Sequence, residues 1–159
     1  MILAICGPPG AGKTTIAERV RTRLAARDDA PEVRLHHSDD FSRRTYERLY
    51  AAVDDDPEDA LTIVDGTFYR REWQVQFETF LAREGVRFVH VTASLETCLE
   101  RNRSRADSIG EQGVHVVYRE FDAPDDALEI DTDEYALSEA VDEIVGALEA
   151  WGWLDSNDR

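Results

Sequence analysis

Residues 7–15 read Gly-Pro-Pro-Gly-Ala-Gly-Lys-Thr-Thr. Gly7, Gly12, Lys13 and Thr14 fit the spacing Gly-x-x-x-x-Gly-Lys-[Ser/Thr] in full. Glycines let successive backbone N–H groups turn inward on one anion. A helix opening just after them adds the positive end of its dipole. Pro8, Pro9, Gly10, Ala11 and Thr15 complete the loop. Lys13 would set a compact charge between two phosphate groups, and Thr14 would offer a hydroxyl to Mg²⁺. The chemistry this implies is the binding of ATP with Mg²⁺. Of the 18 Lys and Arg residues, Lys13 is the one Lys. A point charge on a thin flexible stem suits this loop, whereas a planar guanidinium does not.

Acids and arginines follow at positions that could act on the same anion. His36-His37-Ser38-Asp39-Asp40 would put a carboxylate opposite the terminal phosphate, on the acceptor side. There it could take or orient a hydroxyl proton during phosphoryl transfer. Asp39 is the first choice and Asp40 the second. Both are also good caps for a helix starting at Phe41. Arg43 and Arg44 could hold an anionic acceptor or simply be solvated helix arginines. Four β-favouring residues, Leu61 to Val64, run into Asp65, a placement suited to Mg²⁺ or its water. Thr67, Tyr69 and Arg70 follow at the same rim and could touch the acceptor, though Tyr69 and Trp73 could equally be packing aromatics. Arg101, Arg103 and Arg105 end a helix and enter a Gly-containing stretch. Arginines there could close over the nucleotide and neutralise developing charge, with Arg101 and Arg105 on one face if the helix reaches that far. The alternative is a basic helix end favoured by the macrodipole. The four histidines have no metal-ligand spacing.

The elements that must position these groups alternate strand and helix. Strands are expected at 2–6, 33–36, 61–64, 86–91 and 127–130. Helices are expected at 14–26, 41–52, 72–83, 95–103 and 138–151, with a short helix or turn at 114–121. Such alternation gives a parallel sheet joined by right-handed crossovers. Its ligands sit beyond the C-terminal strand ends, where each group above falls.

At 159 residues and 42% hydrophobic residues the chain is expected to be one domain, 1–159, with a real core. Its formal net charge is −16. Dispersed carboxylates with almost no Lys read as adaptation to high salt, which screens their repulsion. GC-rich codon bias would turn Lys into Arg but does not explain the acids. Acidity argues against anionic membranes and disfavours nucleic acid, an argument that molar salt weakens. Cys6 and Cys98 have no framework spacing, so a reducing cytoplasm is expected. No secretory n-region or 18-residue apolar span is present in the sequence, so no membrane association is expected.

The runs Ile63-Val64-Asp65-Gly66-Thr67-Phe68-Tyr69-Arg70-Arg71-Glu72-Trp73, Cys98-Leu99-Glu100-Arg101-Asn102-Arg103-Ser104-Arg105 and Tyr118-Arg119-Glu120-Phe121-Asp122-Ala123-Pro124 carry a likeness. With the glycine loop and Asp39-Asp40, they resemble P-loop kinases of the seryl-tRNA(Sec) kinase and polynucleotide 5′-hydroxyl kinase group. The likeness implies an α/β P-loop NTPase kinase fold: a five-stranded parallel sheet, helices on both faces and a short arginine-bearing lid at about 103–114. It matches Asp39 to the proton-accepting acid, Lys13 and Thr14 to the ATP–Mg²⁺ site, and Arg101 or Arg105 to the lid arginine. The RNA-gripping and phosphatase domains of that group are not in this sequence. Ser42 stands where the phage-type kinase has an Arg for the substrate phosphate. The run Glu129-Ile130-Asp131-Thr132-Asp133 also resembles adenylylsulfate kinase, whose Asp-Gly-Asp is replaced by His37-Ser38-Asp39-Asp40.

The expected activity is Mg²⁺-dependent transfer of the γ-phosphoryl of ATP to a hydroxyl of a small-molecule or nucleotide-like acceptor. Adenylylsulfate kinase, a nucleoside triphosphatase and an ATP-binding regulatory module are the alternatives. The oligomer is expected to be a monomer or homodimer.

Overall fold

The computed structural model describes residues 1–80 and 85–155. Five strands, β1 (Ile2–Cys6), β2 (Val33–His37), β3 (Leu61–Asp65), β4 (Val86–Thr92) and β5 (Leu128–Asp131), form one sheet. The order is β2-β3-β1-β4-β5 and all pairs are parallel. Among the described residues six α-helices connect or close the strands: α1 (Lys13–Ala25), α2 (Thr45–Asp54), α3 (Arg71–Phe80), α4 (Leu95–Arg103), α5 (Glu111–Arg119) and α6 (Leu137–Ala150). No helix among the described residues is long and apolar enough to cross a membrane.

Period-two alternation in β1 builds a core on each face. Leu3 and Ile5 point one way, against Ile16, Val20 and Leu24 of α1 and Val141, Ile144 and Leu148 of α6. Ile2, Ala4 and Cys6 point the other way, against Leu49 and Val53 of α2 and Phe77 of α3. Every β1 residue is buried, so it reads as a continuous apolar run. Arg27, just past α1, donates to Asp29, to Glu149 of α6 and to the carbonyl of Asp155. It thereby ties the ends of α1 and α6 to the chain's last described turn.

Two expected helices differ in extent. Residues 38–40 form a single 3₁₀ turn, Phe41 is extended and α2 begins at Thr45, not at Phe41. Arg44, in the left-handed region at φ 49°, delays the helix. No side chain caps either element, so the capping alternative for Asp39 and Asp40 is not realised. α5 starts at Glu111, three residues before the expected Val114, with Gly110 as its cap and an acid in its first turn. The expected end of α3 at Arg83 lies outside the described residues.

His90 of β4 lies flat on Phe121, with ring centroids 4.8 Å apart and planes 6° apart. Burial pulls its imidazole below the ordinary value, against the opposing pull of Glu129. The unfolded chain therefore takes up the proton first as pH falls. Stability should drop as pH descends from the ordinary value of 6.5 through the lowered folded one. His90→Phe is expected to flatten that part of the urea-unfolding profile between about pH 8 and about pH 5.

Candidate functional site

The glycine loop joins β1 to α1 at the C-terminal edge of the sheet, between the ends of β3 and β4. Its tightness comes from backbone seated on backbone. A Cβ on Gly7 would lie 1.9 Å from the Val91 carbonyl oxygen, and one on Gly10 would lie 2.3 Å from that of Cys98. Gly10 has φ 81° and Gly12 φ 104°, which glycine adopts freely. The Ala11 amide closes a turn on Pro8 at 3.2 Å. The amides of Gly12, Lys13 and Thr14 find no acceptor among the described residues. Lys13 folds over the loop and donates from Nζ to the Pro8 carbonyl at 2.9 Å. Burial pulls its ammonium below the ordinary value, while Asp65 and then Asp39 pull it up.

Thr14 donates from Oγ1 to Oδ2 of Asp65 at 2.6 Å. His37 Nδ1 meets the same oxygen at 2.9 Å. The β2–β3 register sets His37 directly opposite Asp65. That hydrogen bond raises the imidazole above its ordinary value, with burial working against it. A hydroxyl beside a buried carboxylate is a hard oxygen set suited to Mg²⁺, which takes few protein ligands and fills its shell with phosphate and water. His37 carries no role in the sequence reading; strand pairing alone shows that it orients Asp65.

Asp39 and Asp40 are exposed at the tip of β2. Asp39 faces Arg105, with Oδ2 3.6 Å from Nη2. Arg105 also pairs with Asp107 at 3.2 Å. α4 ends at Arg103, so Arg101 and Arg105 do not share one helix face. Their directions differ accordingly. Arg101 points its Nη1 at the carbonyls of Gly10 and Ala11, at 3.3 and 3.1 Å, and at Thr132 Oγ1 at 2.8 Å. Residues 104–110 form the connection to α5. Buried Asn102 holds it by donating to the Ile109 carbonyl at 2.7 Å and accepting from the Ile109 amide at 3.2 Å.

The remaining candidates lie in the β3–α3 loop and just before α2. The Thr67 carbonyl accepts from the Gly7 amide at 3.3 Å, so the β3–α3 loop abuts the glycine loop. Phe68, buried at φ 46°, turns that loop and donates its amide to the Tyr46 hydroxyl. Tyr69 packs edge-on against Trp73, as the packing alternative anticipates, and also carries Arg70 over its ring at 5.3 Å. Tyr69, Arg70, Arg71, Gln76, Glu120 and Asp122 line a cavity of about 740 Å³. Arg43 and Arg44 are exposed, and Arg44 pairs with Glu47.

A glycine-loop anion nest at the centre of a parallel sheet, with a Thr–Asp pair beside it, is the phosphate-binding arrangement of P-loop proteins. Residues 2–130 match the AAA domain family AAA_33, and the chain belongs to that family. No curated protein matches it. Solved structures share the fold at low identity. Kti12 of Chaetomium thermophilum, in complex with ADP-AlF3, is 18% identical with a TM-score of 0.76, covering 92% of this chain and 98% of its own. The APS kinase CysC of Mycobacterium tuberculosis, in complex with AMPPNP and APS, is 16% identical with a TM-score of 0.72, covering 93% and 96%. A gluconokinase from Sinorhizobium meliloti 1021 is 14% identical with a TM-score of 0.71, covering 94% and 91%. These neighbours share the fold of this chain.

Proposed function

We propose that the chain is an ATP-dependent kinase that transfers the γ-phosphoryl group to a hydroxyl of a small or nucleotide-like acceptor, in a salt-rich cytoplasm. The observation that carries this reading is the placement of Asp39. It follows β2 directly, lies within ion-pair reach of Arg105, and its charge pulls the Lys13 ammonium up. The acceptor oxygen attacks the γ-phosphorus as the β,γ-bridging bond breaks, and ADP leaves. Asp39 takes or orients the hydroxyl proton. The amides of Gly12, Lys13 and Thr14 hold the phosphates, and Lys13 leaves the Pro8 carbonyl to bridge the β- and γ-groups. Arg105 moves from Asp39 to the transferred group and offsets its charge. Thr14 and Asp65 would hold Mg²⁺, which when bound neutralises charge on the phosphate oxygens.

One observation favours hydrolysis as a second reading. The Asp39 side chain is 71% exposed, so water reaches it freely. Wild-type protein with γ-labelled ATP in molar KCl separates the two. Small alcohols, nucleosides, RNA 5′-hydroxyl ends, adenylylsulfate and seryl-tRNA form the acceptor panel. Label in an acceptor ester supports the kinase. Label released as inorganic phosphate at one rate, with or without every acceptor, supports the hydrolase.

A further inference from the structure

The run Asp131-Thr132-Asp133 has no part in the phosphoryl-transfer roles above, yet it touches the glycine loop. Thr132 Oγ1 lies 2.8 Å from the Ala11 carbonyl and 3.2 Å from that of Thr92, and it accepts from Arg101 Nη1 at 2.8 Å. Arg101 itself donates to the same Ala11 carbonyl and to Gly10. The two side chains also flank the third glycine: a Cβ on Gly12 would lie 3.7 Å from Arg101 Nη1 and 3.7 Å from Thr132 Cγ2. Next to Thr132, Asp133 fixes the start of α4 by accepting from the Ser94 amide at 2.7 Å and the Thr97 hydroxyl at 2.7 Å. The end of β5 therefore anchors both the loop and the helix that carries Arg101.

Peptide planarity turns this contact into a functional statement. In a trans peptide the carbonyl of one residue and the N–H of the next point in opposite directions. Donors that hold the Ala11 carbonyl outward hold the Gly12 N–H inward. That amide is one of the three that find no acceptor among the described residues. We infer that Thr132 is a positioning residue for nucleotide binding, acting with Arg101 to fix the Ala11–Gly12 peptide so that its N–H faces the phosphates. Arg101 then serves the phosphate site from behind the loop, while Arg105 alone among the lid arginines faces Asp39.

The inference rests on the nucleotide-binding half of the function proposed above, and its test needs no phosphoryl transfer. MgADP is titrated in molar KCl into wild type and into Thr132→Val, which keeps the shape and loses the hydroxyl. Affinity is expected to fall about tenfold, the order of a lost hydrogen bond to a charged network, and Thr132→Ser is expected to recover most of it. Thr132→Val combined with Arg101→Met should lose less than the product of the single losses, because both act on one peptide. A lower unfolding midpoint with unchanged MgADP affinity in Thr132→Val would mean a purely structural role and would overturn the inference. If that variant does not fold, Arg101→Met is read by the Gly12 amide resonance on addition of pyrophosphate. A response smaller than in wild type supports the inference and an equal response overturns it. Wild type that binds MgADP but phosphorylates nothing defeats the kinase reading and leaves this one standing. Wild type that binds no MgADP defeats both.

Discussion

Asp39→Asn is expected to lower phosphoryl transfer by about a thousandfold while MgATP affinity stays within about threefold of wild type. The amide has the shape of the carboxylate but cannot take a proton from an acceptor hydroxyl. Losing the contact to Arg105 costs little by itself, because that pair is 3.6 Å apart and largely exposed. Nor does removing a negative charge beside a polyanion site weaken that site. Asp39 acts on Lys13 by raising its pKa, so the variant ammonium sits lower still. Steady-state kinetics against the best acceptor, paired with a nucleotide titration, measures the split between the two effects. A variant that transfers phosphate at the wild-type rate would remove Asp39 as the base and point to Asp40.

Gly10→Ala is expected to weaken MgATP binding by at least about a hundredfold and to lower stability by about 3 kcal/mol. Two costs add. Alanine at φ 81° pays about 1–2 kcal/mol for the left-handed backbone. Its Cβ also falls 2.3 Å from the Cys98 carbonyl oxygen, an atom fixed in α4 that no rotamer change can move. The loop must rise off α4, which carries the Ala11–Gly12 peptide away from Arg101. Gly146→Ala is the matching control. Nothing lies within 4 Å of a Cβ there, inside α6, so that substitution should stabilise the helix by up to about 1 kcal/mol and leave binding unchanged. Thermal unfolding of the two variants with and without MgADP checks both expectations.

The glycine loop and the five strands were legible in the sequence because their signals are local. Gly7, Gly12 and Lys13 carry their spacing with them, and the apolar runs are short, β-favouring and bounded by turn residues. The boundary after β2 was not legible. Ser38, Asp39 and Asp40 suit a helix start by residue type, and only the left-handed backbone at Arg44 shows that the helix waits for Thr45. The two arginines could not be told apart from spacing, since a four-residue interval means a shared face only while the helix continues. It stops at Arg103 between them. Contacts fixed by sheet pairing were invisible for the same reason. His37 and Asp65 are 28 positions apart and meet through register, and Thr132 reaches Ala11 across 121 positions. Within the acidic run Asp54-Asp55-Asp56, Asp56 turns inward to accept from Thr62 at 2.9 Å and meet His36 at 2.8 Å. A run of like residues hides which member the fold uses.

The proposed function requires a magnesium-bound triphosphate among the groups around the glycine loop, and calorimetric titration of the wild-type chain with MgATP in molar KCl tests that most directly. The expected result is a single saturable site that pyrophosphate displaces and that loses affinity when magnesium is chelated. No saturable binding, or binding indifferent to both pyrophosphate and chelation, would contradict the assignment.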